Sequence, residues 1–269
     1  MSKLAFKSLS TVDLIEAMEA NMFGYMAYYA KQLPEMTVLD QDDLLVIDSG
    51  IPSDTFNYIC RAKLSEPNIH TRIEEAIDYF KSKHLPMAWW VGPGTQPSNL
   101  GDYLNQHGLK CTEYARGMIA NLHDIPNNYP LPKELTIKQI TTVNELSHFA
   151  HVVASVFHPP DPCVQMFYSK IGDMAFQENS PTYFYLGYLH GEPVATSVLF
   201  LAEGVAGIYA VATRAQARKQ GIGTALTLAA LQDARKLGYH IGALQASTEG
   251  QHLYTRIGFK PCCQFHIYQ

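Results

Sequence analysis

The chain has 269 residues, of which 47% are hydrophobic and 17% are charged. This composition excludes a disordered or fibrous chain and predicts a globular protein of one large domain or two ordinary ones. Lys and Arg number 20 against 25 Asp and Glu, which gives a formal net charge of −5. We therefore expect no nucleic-acid partner, since proteins that bind nucleic acid usually present a basic face.

The sequence indicates neither a membrane span nor a metal site. The opening segment lacks the apolar core of a signal peptide. The longest apolar stretch, 194–213, is as long as a membrane span, but Glu203 and Gly204 divide it and favour two strands joined by a tight turn. The five cysteines show no ligand spacing. We predict a cytoplasmic monomer or homodimer that has no membrane partner and binds no metal.

In the first half, the pattern predicts a helix over 69–83, a strand over 87–91 and a helix over 98–107. Trp89 and Trp90 are consecutive on that strand, so their side chains point to opposite faces. One is expected in the core of the first half, while the other is free to pack against the second half. Residues 124–133, with three prolines and two asparagines, continue neither helix nor strand. This linker predicts two domains, 1–127 and 128–269.

The second half predicts an alternation of helices and strands from its hydrophobic periodicity. The predicted helix over 222–237 has Arg235 and Lys236 in its last turn, and Gly238 supplies its cap. The predicted order is strand 136–140, helices 141–157 and 164–176, strands 183–189, 194–201 and 205–213, helix 222–237, strand 241–246, helix 251–257 and strand 264–268.

A glycine pair, Gly221 and Gly223, lies where the helix over 222–237 begins. Free N–H groups and the helix dipole make such a position suitable for phosphate, and glycine lets the backbone approach closely. A dinucleotide fingerprint would need a third glycine where Leu226 stands, and a Walker loop would need G-K-[ST]. Taken alone, the pair also fits a tight turn into the helix.

Two motifs together resemble the GNAT superfamily of acyl-CoA-dependent N-acetyltransferases. Arg218, Gly221 and Gly223 match the acetyl-CoA signature, and Leu253-Tyr254 with Gly258-Phe259 match the later one. The resemblance covers roughly half of the chain and implies an α/β (α+β) fold, with a mixed, mostly antiparallel sheet flanked by helices. It also implies an acyltransferase that uses acetyl-CoA.

The resemblance implies where acetyl-CoA would bind. The loop amides would face the pyrophosphate, and backbone groups of the preceding strand would pair with the pantetheine arm as an added strand does. Ser247 occupies a position where relatives carry Asn or Ser, although a plain serine at a strand end is a comparable interpretation. The residues assigned to the cofactor are Val211, Ala212, Thr213, Arg218, Lys219, Gln220, Gly221, Ile222, Gly223, Thr224 and Ser247.

Tyr254 matches the tyrosine that serves as general acid in the family, and the alternative is a core tyrosine. The sequence does not identify the general base. Some members use a glutamate midway along the strand before the loop, but this strand has none, and Glu203 lies earlier, at a turn. A water relay or an acceptor that arrives neutral would serve. His158 and Asp161, in a proline-rich loop, are weaker candidates for acceptor contact.

The order helix, strand, helix and Gly-apolar in the first half parallels residues 222–259. We interpret residues 1–127 as a degenerate GNAT-like copy that lacks the phosphate loop, binds no coenzyme A and covers one side of the acceptor cleft. The predicted function is acetyl transfer from acetyl-CoA to a primary amine of a small molecule or peptide. The alternative is a non-catalytic acyl-CoA sensor.

Overall fold

The computed structural model of the chain describes residues 9–127 and 129–269. Two series of elements follow one another along the chain. The first series is α1 (Thr11–Tyr28), β1 (Thr37–Asp40), β2 (Leu45–Asp48), β3 (Tyr58–Cys60), α2 (Ile69–Ser82), β4 (Ala88–Val91), α3 (Leu100–Gln106) and β5 (Cys111–Asn121). The second is β6 (Leu135–Gln139), α4 (Val143–Ala154), α5 (Pro162–Ile171), β7 (Thr182–Leu189), β8 (Glu192–Ala202), β9 (Val205–Thr213), α6 (Ile222–Lys236), β10 (Ile241–Ala246), α7 (Gln251–Arg256) and β11 (Lys260–Tyr268).

The predicted elements are confirmed with shifted ends, apart from the second helix. The apolar stretch 194–213 forms the hairpin β8–β9, joined at Glu203 and Gly204, which both have positive φ. The helix predicted over 164–176 stops at Ile171, and a 3₁₀ turn covers Gly172–Phe176. Gly172 has a φ of 39°, which an α-helix cannot continue.

All eleven strands form one sheet in the order β1-β2-β3-β4-β11-β5-β10-β9-β8-β7-β6. Within the described residues, the antiparallel pair β11–β5 has four strands on one side and five on the other. On one side lies the parallel pair β4–β3, connected through α2, and on the other the parallel pair β10–β9, connected through α6. As a result, β11, the last strand of the second series, lies beside β4, and β5, the last strand of the first series, lies beside β10.

This exchange joins the two predicted domains through backbone hydrogen bonds. β11, from the second half, lies between β4 and β5 of the first half and pairs with both. The predicted boundary falls at Asn128, outside the described residues, and it stays a prediction. Because each half completes the sheet of the other, either half would lose strand partners if it were separated from the other.

The two faces of the sheet carry different helices. α2, α3, α6 and α7 cover one face, and α1, α4 and α5 cover the other. The two tryptophans confirm the predicted alternation. Trp89 is fully buried against α2 and α3, whereas the Trp90 ring lies 6.1 Å from that of Phe265, which belongs to β11 of the second half.

Helix α1 was not predicted, and it lies over the second half. It contacts β8, β9, β10 and β11. Ser10 begins it with a capping box, in which the Ser10 side chain and Asp13 satisfy each other's backbone N–H. None of the helices in the described part of the chain has the length and apolar character needed to traverse a bilayer.

Candidate active site

Strands β9 and β10 separate part of the way along their length. They pair in parallel from Val205–Ile241 to Gly207–Ala243, and no pairing is described between them beyond that point. β9 nevertheless continues to Thr213, bonded on its other edge to β8. Val211, Ala212 and Thr213 thus lie on a stretch of β9 whose edge toward β10 has no strand partner within the described residues.

A β-bulge opens this separation. On β8, Thr196 pairs with Ala212 and Val198 pairs with Tyr209, so Ala210 and Val211 together face a single residue. Ala210 has a φ of 45°, in the left-handed region. A bulge bends its strand and increases the local twist, which turns the end of β9 away from β10.

The predicted phosphate loop closes the open end of this gap. Gly221 has a φ of 78° and is the N-cap of α6, which begins at Ile222. No side chain caps this helix end, and no acidic residue lies in its first turn. The amides of Ile222, Gly223 and Thr224 precede the first intrahelical bond, from Ala225 N to Gly221 O. These amides and the helix dipole therefore favour an anion here.

The surroundings of Gly223 show which elements meet at the predicted phosphate loop. A Cβ on Gly223 would lie 3.4 Å from Leu253 Cδ1, 3.6 Å from Thr213 Oγ1 and 4.0 Å from Val211 Cγ1. Gly223 therefore faces the gap between the end of β9 and helix α7. The start of α6, the end of β9 and α7 therefore meet at Gly223, and a side chain there would contact both of the other elements.

The cations of the loop lie at the surface. The exposed Arg218 donates from Nε to the carbonyl oxygen of Thr213 at 3.0 Å, which ties the loop to the end of β9. Lys219 is exposed with a φ of 61°, and the Gln220 amide donates to Gln216 O at 3.3 Å. The structure brings the predicted loop residues and the end of β9 together.

Tyr129 lies beside the candidate site, at a position that the sequence did not predict. A Cβ on Gly221 would lie 3.3 Å from the Tyr129 hydroxyl, so that hydroxyl faces the start of α6. Tyr129 belongs to the proline-rich linker, which packs its ring against α6 and its neighbours. Nothing in the linker sequence distinguishes a structural tyrosine from one beside the loop.

Tyr254, on α7, is 9% exposed, and its ring lies 6.0 Å from that of Phe259. Burial raises the pKa of its phenol to about 12. The hydroxyl makes no hydrogen bond within the described residues, so it is free to donate to a ligand. Ser247, at the end of β10, is exposed, and its Oγ accepts from Gly250 N at 3.2 Å, directly before α7.

No carboxylate projects from β9. Tyr209 occupies the middle of the strand, and its hydroxyl is bonded to Asn21. Glu203 is exposed at the β8–β9 turn, as expected. Asp161 is the N-cap of α5, accepting from Cys163 N at 2.8 Å. Among the described residues, no group of three or more His, Cys, Asp or Glu is arranged to hold a metal ion.

The equivalent place in the first half is closed. β3 and β4 are also parallel, but the segments that follow them pair with each other. Gln96 N donates to Ala62 O at 2.9 Å, and Leu64 N donates to Gln96 O at 2.8 Å. The backbone edge that is free along β9 is occupied here.

The model of the family described as the acetyltransferase (GNAT) family matches residues 150–259. The matched residues include the bulged strand β9, the loop at the start of α6 and Tyr254. No curated protein matches the chain by sequence.

Solved structures resemble the whole chain. A GCN5-related N-acetyltransferase from Kribbella flavida is 17% identical with a TM-score of 0.70, over 93% of this chain and 94% of its own. One from Sphaerobacter thermophilus is 14% identical with a TM-score of 0.63, over 97% and 93%. A tandem GNAT protein from the clavulanic acid biosynthesis pathway is 11% identical with a TM-score of 0.57, over 98% and 96%. At these identities the likeness concerns the fold, which is GNAT-like, mixed α/β and mostly antiparallel.

Proposed function

We propose that the chain is an acetyl-CoA-dependent N-acetyltransferase that acetylates a primary amine of a small molecule or peptide. The observation that carries the proposal is the meeting of the free edge of β9 with the glycine-lined start of α6. A strand edge without a partner can pair with the amides of an extended arm, and uncapped helix amides bind phosphate. Coenzyme A carries both groups.

The residues that would hold acetyl-CoA follow from this placement. Backbone groups of Val211, Ala212 and Thr213 pair with the pantetheine arm, and a backbone N–H of β9 donates to the carbonyl oxygen of the thioester. The loop from Arg218 to Thr224 binds the pyrophosphate through its amides, with Arg218 and Lys219 supplying positive charge. Hydrogen bonds to charged groups contribute about 1.5–3 kcal/mol each. Acetyl-CoA, when bound, supplies an acetyl group activated as a thioester.

Tyr254 acts as the general acid. Its hydroxyl has no other hydrogen-bond partner within the described residues, and its raised pKa keeps the proton on Oη at neutral pH. A proton moved from Oη to the departing sulfur stabilises the leaving thiolate. Fixed amides of β9 stabilise the negative charge on the oxygen of the transferred group.

The amine must be neutral to attack, and β9 offers no carboxylate to take its proton. Two routes remain, a water relay or an acceptor that reaches the site already neutral. An ordinary alkylamine has a pKa near 10.4, so the second route requires surroundings that disfavour the charged form.

We propose that residues 1–127 are a degenerate GNAT-like copy that covers the acceptor side of the second half. Three observations support this: the repeated order of strands and helices, the closed β3–β4 edge, and the position of α1 over β8 and β9. The acceptor is then a small molecule or peptide, with no nucleic acid or membrane as partner. The domain boundary at 127/128 belongs to the same proposal.

A non-catalytic acyl-CoA sensor is the second candidate. The lack of a carboxylate on β9 favours it, whereas the unpartnered hydroxyl of Tyr254 favours the enzyme. Calorimetric titration with acetyl-CoA, followed by thiol release across a panel of amines, separates the two. The enzyme requires binding together with amine-dependent release that Tyr254→Phe diminishes. Binding without release on any amine supports the sensor, and no binding overturns both.

A further inference from the structure

One peptide of strand β9, the one that joins Ala210 to Val211, lies in an unusual backbone conformation. Ala210 has a φ of 45°, in the left-handed region that residues other than glycine rarely adopt. The two residues form the bulge of β9, and Val211 has no pair on β8 among the described residues. A conformation of this kind persists only where its surroundings enforce it. Contacts from β8 and from α1 enforce it here.

The contact from β8 is made by Thr196. Its side chain is fully buried, and Oγ1 donates to the carbonyl oxygen of Ala210 at 2.8 Å. The peptide that follows Ala210 is trans and planar, so its N–H points opposite to its C=O. Because the Ala210 carbonyl points toward Thr196, the N–H of Val211 in the same peptide points away from it. The edge of β9 that faces away from β8 is the free one, within the described residues.

The contact from α1 fixes Tyr209, the residue directly before the bulge. The Tyr209 hydroxyl donates to Asn21 Oδ1 at 2.6 Å, and its ring stacks on that of Tyr25 at a centroid distance of 4.0 Å and an angle of 5°. Asn21 is itself immobilised, because it is fully buried and its Nδ2 donates to backbone carbonyls at the β8–β9 turn. The chain therefore enters the bulge from a side chain that is held at its ring face and at its hydroxyl.

A backbone N–H with a fixed direction has a use in acyl transfer. The thioester carbonyl oxygen gains negative charge as an amine attacks, and a donor that is already oriented stabilises this charge without reorganisation. Errors in placement are costly because the interaction must be made in the transition state. Thr196 and Asn21 have no exposed surface, so they act on this donor through the backbone and not by touching a substrate.

Resting on the proposed function, we infer that the N–H of Val211 donates to the thioester carbonyl and that Thr196, Tyr209 and Asn21 are positioning residues for it. Thr196 sets the plane of the peptide. Asn21 holds Tyr209, which keeps the bulge in place. Because Asn21 belongs to α1, the first half orients the strand on which the reaction occurs, besides covering the cleft.

The infrared carbonyl stretch of bound acetyl-CoA tests the direction of this N–H without any acceptor. Acetyl-CoA labelled isotopically at its acetyl carbonyl carbon is bound to the full chain, and its stretching frequency is compared with that of free acetyl-CoA. A hydrogen bond weakens the C=O bond, so the frequency should fall on binding. Thr196→Val, which removes the hydroxyl, should lose most of this shift. Thr196→Ser, which keeps the hydroxyl, should retain it.

Turnover gives a second measurement, with the amine that releases the most thiol in the panel described above. Removing a fixed donor costs about 10²–10³-fold in kcat, and misdirecting one costs part of that. Thr196→Val and Tyr209→Phe should therefore each lower kcat at least ~10-fold. The affinity for acetyl-CoA should stay nearly constant, because the loop at the start of α6 is unchanged. Thr196→Ser should restore kcat.

Two controls separate the direction of the N–H from stability. Ser197→Ala removes a buried hydroxyl beside Thr196 that has no hydrogen-bond partner in the described part of the chain, and it should match the parent. Asn57→Ala is matched to Asn21→Ala, because Asn57 is also fully buried and its Nδ2 also donates to backbone carbonyls. Both asparagine variants should lose stability in urea unfolding. Only Asn21→Ala should also lose kcat and the shift of the carbonyl stretch.

Two results would overturn the inference while the proposed function stands. One is a carbonyl stretch that does not change when acetyl-CoA binds to the parent. The other is Thr196→Val and Tyr209→Phe both matching Ser197→Ala in the carbonyl stretch and in kcat. If the chain binds no acetyl-CoA, the proposed function fails and the inference with it. If it binds acetyl-CoA but no amine releases thiol, catalysis fails, and the carbonyl stretch alone decides where the N–H points.

Discussion

The Tyr209 hydroxyl of strand β9 donates a hydrogen bond to Asn21 Oδ1 of helix α1 at 2.6 Å. Asn21 is fully buried, and its Nδ2 donates to the carbonyl oxygens of Ala202 at 2.9 Å and Val205 at 3.1 Å. Gly207 lies beneath this contact, since a Cβ there would overlap Asn21 Oδ1 and the Tyr209 ring. A side chain of the first half thus holds both ends of the β8–β9 turn and the strand of the candidate site.

Asn21→Ala should destabilise the protein by about 2–4 kcal/mol, because each buried polar group left unpaired costs about 1–3 kcal/mol. Urea unfolding of the full chain measures the change. Asn144→Ala, at an exposed position of α4, is the control and should stay within about 0.5 kcal/mol of the parent. A loss as small as that of the control would show that the Asn21 hydrogen bonds are dispensable.

Gly223→Ala should lower the affinity for acetyl-CoA at least ~10-fold while leaving stability unchanged or slightly raised. The added methyl group enters the gap beside Thr213 and Leu253, yet alanine favours a helix over glycine. Gly238→Ala is a control with the opposite expectation, loss of stability without loss of affinity. Its φ of 83° makes alanine destabilising by about 1 kcal/mol, and the added methyl group does not enter the gap. Calorimetry and thermal unfolding on both variants give the result.

Gly221→Val should also abolish binding, but Gly221 itself has a φ of 78°. A branched side chain there strains the backbone as well as blocking the phosphate position. Gly223→Ala avoids that ambiguity. Undiminished acetyl-CoA affinity in Gly223→Ala would remove the loop from the cofactor site.

Tyr254→Phe should lower kcat about 10²–10⁴-fold, the range for general-acid catalysis, with acetyl-CoA affinity unchanged. A pKa of about 12 means that the phenol keeps its proton at ordinary pH. The ratio of the two kcat values should therefore be constant between about pH 6 and pH 10. Tyr103→Phe, at a partly buried position that packs against the core of the first half, should match the parent. If both variants match it, Tyr254 is a core tyrosine only.

Glu19→Gln should stabilise the protein above neutral pH. Burial raises the pKa of Glu19 from 4.5 to about 7, against a lowering by the hydrogen bond from Gly94 N. Between these values the folded chain keeps a proton that the unfolded chain has lost, so stability falls as pH rises through this window. The loss amounts to roughly 3 kcal/mol at about 1.4 kcal/mol per pKa unit.

Urea unfolding at pH 4 and pH 8 tests this sign. Parent and Glu19→Gln should agree at pH 4, and the variant should be the more stable at pH 8, because a neutral amide oxygen still accepts from Gly94 N. Glu178→Gln, at an exposed position, should follow the parent at both values. A variant less stable than the parent at pH 8 would mean that the ionised carboxylate is favoured in its site.

The full chain should bind one equivalent of acetyl-CoA. The β3–β4 edge of the first half is bonded to itself through Gln96, and the segment before α2 contains no glycine. Calorimetric stoichiometry measures this on the intact chain, which avoids isolating halves that share a sheet. A second equivalent that survives Gly223→Ala would place a coenzyme site in the first half.

The sequence by itself determined the elements whose signals are local. The glycine pair before α6, the turn at Glu203-Gly204 and the capping Gly238 each depend on backbone conformations that neighbouring residues reveal. The two matched motifs are local as well, and both lie within residues 150–259, which the acetyltransferase (GNAT) family model matches. Helix α1 escaped prediction because polar residues lie among its buried ones, Glu19 and Asn21, and no residue from Asn21 to Tyr28 is exposed. This part of the helix therefore lacks the polar face that marks a surface helix.

Only the tertiary structure decided what depends on strand order. The place of β11 between β4 and β5 and the closed edge of β3–β4 arise from pairings between residues far apart in the sequence. The free edge of β9 arises from the absence of such a pairing within the described residues. The approach of Tyr129 to Gly221 and of Tyr25 to Tyr209 follows from the same long-range packing. Local periodicity carries no information about which edge of a strand is occupied, because each residue's hydrogen-bonding groups are the same whether or not a partner is present.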